Sequence, residues 1–211
     1  MKFYLRIAAL AIAAFVLAAC NQSGQEKVTA DEYELNEPAK TSEQAKEAEV
    51  AGAAQKEQTL VLQLKDGTVE IALRPDLAPK HVERVTTLAN KGFYDGIVFH
   101  RVIDGFMAQT GDPTGTGRGG SELPDLPAEF SSEPFRRGTL GMARSQDPNS
   151  ANSQFFIMFA PGDFLNGQYT VFGQVSKGME VVDRIKRGDQ ALNGQVTNPD
   201  KIIKLRTAGA Q

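Results

Sequence analysis

Between Phe99 and Gln109 the chain places one arginine, an adjacent pair of large apolar side chains and one amide: Arg101, Phe106, Met107 and Gln109. Such a set suits a site that seats an apolar ring and donates hydrogen bonds to the peptide beside it. It contains no obvious nucleophile and no metal-ligand set. The histidines are His81 and His100, and Cys20 is the sole cysteine, so a metal site has little support. No Ser-His-Asp or Cys-His arrangement stands out. The glycine-rich run from Asp112 to Gly120 lacks the Gly-Lys-Ser/Thr ending of a phosphate loop and reads as a surface turn. A net charge of -3 argues against a nucleic-acid surface, which is normally basic.

The stretch Phe99–Gln109 resembles the signature of the cyclophilins, a family of peptidyl-prolyl cis-trans isomerases. Ser153-Gln154-Phe155-Phe156-Ile157 resembles a second hallmark of that family. The activity implied is rotation about an X–Pro bond, which exchanges unaided over tens to hundreds of seconds. Its barrier, about 18–20 kcal/mol, comes from amide resonance. A catalyst must hold the proline ring, bind the flanking backbone and favour the twisted amide over both planar forms. In the twisted state the prolyl nitrogen regains a lone pair, which an aimed hydrogen-bond donor stabilises selectively.

The resemblance assigns that donor to Arg101, whose guanidinium is charged at any working pH. Taken alone, Arg101 reads as an arginine whose stem packs on apolar surface while its head reaches water, and it is the motif around it that reverses this. Phe106, Met107, Phe156 and Leu165 match the residues that wall the proline pocket. Gln109 matches the glutamine that bonds the substrate backbone, and Gln154 lines the same groove. Met142-Ala143-Arg144 matches the strand edge along which the peptide lies as an added strand. Three positions depart from the common eukaryotic pattern: Arg144 replaces an asparagine, Phe164 a tryptophan and Tyr169 a histidine. The aromatic wall and a hydrogen-bonding tip survive, but the indole that donates to cyclosporin is lost. No cofactor is implied. The partners implied are proline-containing polypeptides. A module that binds proline peptides without needing turnover is the alternative, and Arg101 separates the two, since binding alone requires no donor at the nitrogen.

Short elements must position these residues. Leu60, Leu62 and Leu64 alternate with polar or exposed positions, as do Val69, Ile71 and Leu73, around an Asp66-Gly67 turn signal. Pro79 opens a helix with Val82, Val85, Leu88 and Ala89 on one face, closed by Asn90-Lys91-Gly92. Ile97–Ile103, Phe155–Phe159, Val171–Val175 and Ile202–Leu205 read as strands, and Gly178–Arg187 reads as a second amphipathic helix. Strand parity puts Arg101 on the face of Phe99 and Ile103, with His100 pointing the other way. His100 as a general base is a sharper alternative to a packed histidine. Phe155 and Phe156 must face opposite ways, one toward the core and one toward the site. The expected fold is mainly β. The resemblance makes it a closed eight-stranded antiparallel barrel capped by two helices, over residues 58–211.

The N-terminus has a different character. Lys2 and Arg6 precede an uncharged run from Ile7 to Ala19, which has signal-peptide length. Leu17-Ala18-Ala19-Cys20 resembles the bacterial lipobox, in which the cysteine is lipidated and becomes the mature N-terminus. Residues 1–19 thus read as a lipoprotein signal and residues 20–57, rich in Gln, Glu, Lys, Ala and Ser, as a lipidated cysteine with a disordered tether. Asn21 is not the aspartate that often retains lipoproteins in the inner membrane. The expectation is a monomer anchored through Cys20, facing the bacterial periplasm from the outer membrane.

Overall fold

The computed structural model describes residues 59–210. The expected signal segment 1–19, Cys20 and the tether lie outside the described residues. Strands β1 (Thr59–Leu64) and β2 (Gly67–Leu73) form the expected hairpin, with Leu60, Leu62, Leu64, Val69, Ile71 and Leu73 all buried. Leu64 pairs directly with Gly67, so the turn residues are Lys65 and Asp66, one position earlier than the sequence signal suggested. Gly67 is instead the first residue of β2. Its φ of +143° and the approach of Val181 Cγ2, 3.0 Å from where a Cβ would stand, demand glycine there.

Helix α1 (Pro79–Asn90) starts on Pro79 and buries His81, Val82, Val85, Leu88 and Ala89. Ala78 offers no capping side chain. The Glu129 carboxylate substitutes, accepting from the backbone N–H groups of Lys80 (3.2 Å) and His81 (3.1 Å). The remaining strands are β3 (Arg101–Ile103), β4 (Met107–Thr110), β5 (Thr139–Met142), β6 (Phe155–Met158), β7 (Val171–Lys177) and β8 (Lys204–Thr207). Helix α2 is Met179–Val182.

All eight strands lie in one antiparallel sheet of order β3-β4-β6-β5-β7-β2-β1-β8. No ladder joins the outer strands β3 and β8. The segments before them meet instead, through a bridge between Val98 and Lys201 and the bonds Gly96 N–H to Ile202 O (2.8 Å) and Phe99 N–H to Asp200 O (2.9 Å).

The sheet is apolar on both faces near the site. Phe155 and Ile157 of β6 and Ala108 of β4 join the main core, with β1, β2 and α1. Phe156 and Met158 of β6 and Met107 of β4 join a second cluster with Phe135, Leu165 and Val171. The opposed orientation of Phe155 and Phe156 is as parity required, and it makes β6 a continuous buried run.

Four elements differ from the sequence expectation. Strand β3 holds only Arg101–Ile103, and alternation fails before it: Phe99 and Val102, three residues apart, both enter the main core. Arg101 therefore does not share a face with Phe99, although it does share one with Ile103, which packs on the second cluster. The second helix stops at Val182 rather than Arg187. Beyond it Arg184 and Ile185 take three-residue turn bonds, the Arg187 guanidinium occupies the carbonyls of Asp183 and Ile185, and Gly188 N–H goes to Val102 O. The spacing of Met179, Val182 and Ile185 is met by tight turns instead of a continued helix. Finally, β4 and β5 are strands that composition did not mark, since each is four residues long, with a glycine at one end, Gly111 after β4 and Gly138 before β5.

Candidate active site

Cross-strand register builds the centre of the site. Arg101 of β3 stands opposite Gln109 of β4, and Gln109 stands opposite Phe156 of β6. Directly opposed residues project to the same side of a sheet, so these three form one row. Around them, Phe106, Met107, Ala143, Arg144, Phe164, Leu165 and Tyr169 complete a pocket of about 290 Å³. Every pocket residue expected from sequence is therefore brought together, with Gln154 one step away.

The floor is apolar and tightly supported. Met107, Phe156 and Leu165 are nearly inaccessible to solvent. Phe156 stacks on Phe135 (centroids 5.7 Å apart) and meets Tyr169 edge-on (5.9 Å). Behind it Gly141 leaves room: a Cβ there would run into the Phe156 ring and stand 2.6 Å from Phe135. Phe106 forms one wall, with Phe164 5.4 Å away at the lip. Phe164 is 66% exposed, a large cost for an aromatic ring unless a ligand covers it.

Arg101 is half-buried on this apolar wall and is held by neutral oxygens. Its Nε donates to Asn193 O (3.0 Å), Nη2 to Asn193 Oδ1 (3.0 Å) and Nη1 to Gln109 Oε1 (3.2 Å). No carboxylate contacts it among the described residues. Burial pulls its pKa below the ordinary 12.5, yet a guanidinium remains charged in water-accessible protein sites. Its charge is thus fixed in place but not cancelled. The remaining guanidinium hydrogens are available to a ligand.

Asn193, the residue that holds Arg101, is one that sequence reasoning missed. It adopts a left-handed conformation (φ 54°) and is followed by Gly194, whose N–H bonds Asp189 O and whose carbonyl accepts from Val102 N–H of β3 (2.8 Å). A Cβ on Gly194 would stand 2.5 Å from Ile103 Cγ1. The Asn193-Gly194 pair is a legible turn signal, but nothing in it points to an arginine far back in the chain.

A polar groove of about 570 Å³ adjoins the pocket and shares Gln109, Ala143 and Arg144 with it. Gln109 Nε2 donates to Gln154 Oε1 (2.9 Å), and Gln154 Nε2 donates to the carbonyls of Gly117 (3.1 Å) and Gly119 (2.8 Å). Asn152 ties the opposite rim, accepting from Ser121 N–H and Oγ–H and donating to Leu123 O and Asp125 Oδ1. Arg144 folds over the Tyr169 ring at 4.4 Å and donates to the carbonyls of Gln168 and Ser145. His100 lies beneath the loop, its ring 3.4 Å from a Cβ placed on Gly117. It is buried, its ring nitrogens have no hydrogen-bond partner, and burial lowers its pKa. It is absent from the pocket lining, unlike Arg101.

The chain has counterparts among known proteins. Residues 59–207 match the family described as cyclophilin type peptidyl-prolyl cis-trans isomerase/CLD. The chain belongs to the cyclophilin family. A probable peptidyl-prolyl cis-trans isomerase of Brucella suis biovar 1 is 62% identical over 167 residues, covering 74% of this chain and 85% of that protein. Peptidyl-prolyl cis-trans isomerase-like 1 of Neurospora crassa is 42% identical, covering 66% of this chain and 88% of that protein. Among solved structures, a Cryptosporidium parvum cyclophilin crystallised in the presence of the dipeptide Ala-Pro aligns with a TM-score of 0.66 at 30% identity, covering 71% of this chain and 98% of that one. A cyclophilin from Hirschia baltica aligns at 0.64 and 25% identity, covering 72% and 74%. The chain is accordingly a peptidyl-prolyl cis-trans isomerase.

Proposed function

We propose that this cyclophilin catalyses X–Pro rotation through Arg101, acting on polypeptides near a bacterial membrane to which Cys20 anchors it. The observation that carries the catalytic part is the hold on Arg101: a charged donor on an apolar wall, gripped by neutral oxygens. The proline ring enters between Phe106, Met107, Phe156 and Leu165, displacing water from surface worth about 25 cal/mol per Å². The peptide backbone runs along the edge at Ala143 and Arg144, where the strand ladder of β5 has ended. Gln109 retains one amide hydrogen for a substrate carbonyl, its other groups being engaged by Arg101 and Gln154.

In the planar amide the nitrogen lone pair is delocalised and accepts poorly. In the twisted amide it is localised, and Arg101 donates to it. The interaction is stronger in the transition state than in either ground state, as rate acceleration requires. No covalent bond forms or breaks and no cofactor takes part. Tyr169 and Phe164 wall the far side. We also read the sheet as a barrel, closed where Val98 meets Lys201.

The membrane part of the reading rests on the lipobox-like Leu17-Ala18-Ala19-Cys20. Two or more acyl chains at Cys20 would hold the protein stably on a bilayer, with the outer membrane favoured by Asn21 and the domain facing the periplasm as a monomer. Mass spectrometry of the membrane-extracted protein checks this: a mature chain beginning at an acylated Cys20 supports it, and an unmodified Cys20 overturns it.

The catalytic reading is tested by assaying proline isomerisation with wild type beside Arg101→Ala, with proline-peptide affinity measured in the same samples. Loss of a preorganised donor costs about 10²–10³-fold in rate. A folded variant that still binds peptide but has lost that factor supports the assignment. Unchanged rate removes Arg101 from catalysis, and binding without turnover in wild type leaves a tethered binding module.

A further inference from the structure

Several arginines of this domain are paired: Arg74, Arg136, Arg137, Arg187 and Arg206 each contact a carboxylate, Asp76, Asp163, Asp183, Asp104 and Asp95 respectively. Away from the pocket and groove, Arg84 donates to the carbonyls of Asn152 and Pro124. Along the pocket and groove the pattern reverses. Arg101 and Arg144 bond only neutral oxygens, with Tyr169 beneath Arg144, and the Arg118 side chain makes no hydrogen bond or ion pair among the described residues. The one carboxylate lining the groove, Asp125, accepts from the Asn152 amide (2.9 Å). Arg101, Arg118 and Arg144 thus bring positive charge without a carboxylate partner to the surface where a peptide must pass.

We propose that the groove beside the proline pocket selects substrates carrying an acidic side chain roughly two or three residues from the proline, with Arg118 and Arg144 as its specificity determinants. The inference rests on the peptide-binding reading above. Gln109, Ala143 and Arg144 line both pocket and groove, so a chain leaving the pocket enters the groove at once. Extended backbone advances about 3.3 Å per residue, so two or three residues carry a chain roughly 7–10 Å beyond the proline, out of the pocket and along the adjoining groove. An arginine fork matches a carboxylate in geometry as well as charge. Arg118 has no partner to give up, so binding a carboxylate there forfeits no existing bond.

The test uses the full-length protein in detergent and proline peptides of one length, carrying Glu, Gln or Lys in turn at each position flanking the Xaa-Pro pair. kcat/KM is read at low ionic strength and in about 0.5 M salt, where the Debye length falls to a few ångströms. Exposed ion pairs of this kind change affinity by a small factor each. The expected result is a Glu-over-Lys ratio of about threefold to tenfold at one position, lost in high salt. Arg118→Gln should cut that ratio to about a third and leave the rate on the Gln peptide unchanged. Equal rates for Glu and Lys at every position overturn the proposal, as does a preference for Lys, which would make Asp125 the dominant charge. A ratio indifferent to Arg118→Gln also overturns it. If turnover is absent for every peptide, the catalytic reading has failed, and the charge preference is read from peptide Kd in the same samples.

Discussion

The proline pocket and the polar groove share Gln109, Ala143 and Arg144, yet they are built in opposite ways. The pocket stands on the sheet. Its central row is fixed by the β3–β4 and β4–β6 ladders, and its floor is stacked aromatic rings. The groove is walled by a loop, whose course depends on side chains bonding backbone: Asn152 to Ser121 and Leu123, Gln154 to Gly117 and Gly119, and Asp112 to Thr114 and Gly117. Ladders hold atoms to within tenths of an ångström, as stabilising a twisted amide demands. A loop held by single polar side chains adapts to different peptides. In the reading proposed above, chemistry and selection fall to parts of different stiffness.

The largest way to break this contrast is to spoil the pocket from behind. In Gly141→Ala the new methyl must displace the Phe156 ring into the space for proline. We expect kcat/KM to fall by about 10²-fold or more and stability by about 1–3 kcal/mol, the usual cost of overpacking. Denaturant melts beside the isomerase assay check both, and a fully active Gly141→Ala protein would show the floor to be pliable.

Asn193→Gly is the next in size. It keeps the left-handed backbone and the carbonyl that Arg101 Nε uses, and deletes only the Oδ1 contact. One hydrogen bond to a charged group is worth about 1.5–3 kcal/mol. We expect kcat to drop about tenfold with peptide Kd unchanged. A Kd that weakens in step with kcat would mean that Asn193 shapes the pocket and does not aim Arg101. Asn193→Asp sharpens the point, since a carboxylate would keep the grip but cancel the charge and should also lower kcat.

On the groove side, Asn152→Ala removes the tie between Ser121, Leu123 and Asp125. Activity on a peptide short enough to fill only the pocket should stay within about twofold, while stability falls by about 1–2 kcal/mol for the freed polar groups. A short-peptide rate that collapses would show the two regions to be one unit.

The smallest effect is that of pH. Both histidines are buried and have pKa values below the ordinary 6.5, each chiefly through desolvation; His81 is partly compensated by Glu129 and His100 by Asp112. A folded-state value below the unfolded one means that the unfolded chain binds the extra proton first. Stability is therefore fully present above 6.5 and is lost as pH falls from 6.5 through the folded values. Thermal melts at pH 7 and pH 5 should show the lower Tm at pH 5. Hydrogen exchange should speed first at the Gly117 loop, under which His100 sits. Among the described residues no histidine, cysteine or carboxylate lines the pocket, so the catalysed rate should vary little between about pH 6 and 8. A steep bell would bring His100 back as an acid or base.

Period-two alternation located β1, β2 and the split between Phe155 and Phe156, because one buried face repeats every second residue regardless of partners. Face assignment failed at Phe99 and Arg101, because the run before β3 is not regular strand and no local pattern records that. The second helix was overextended for a related reason: apolar residues every third position suit successive tight turns as well as a helix. Arg101 was legible as a candidate through the motif around it. Its grip was not, since Asn193 reaches it from a turn between α2 and β8, and such contacts leave no trace in spacing.

What the sequence determined by itself is therefore the inventory: which side chains could seat a ring, which could donate to a peptide, and which short runs must bury a face. Only the tertiary structure decided their conjunction. Antiparallel register set Arg101, Gln109 and Phe156 in one row, and a distant left-handed asparagine holds the Arg101 guanidinium in place. The physical reason is range. Hydrophobic periodicity acts over a few residues and is written locally, whereas hydrogen-bond aim depends on where strands far apart in the chain come to lie beside each other.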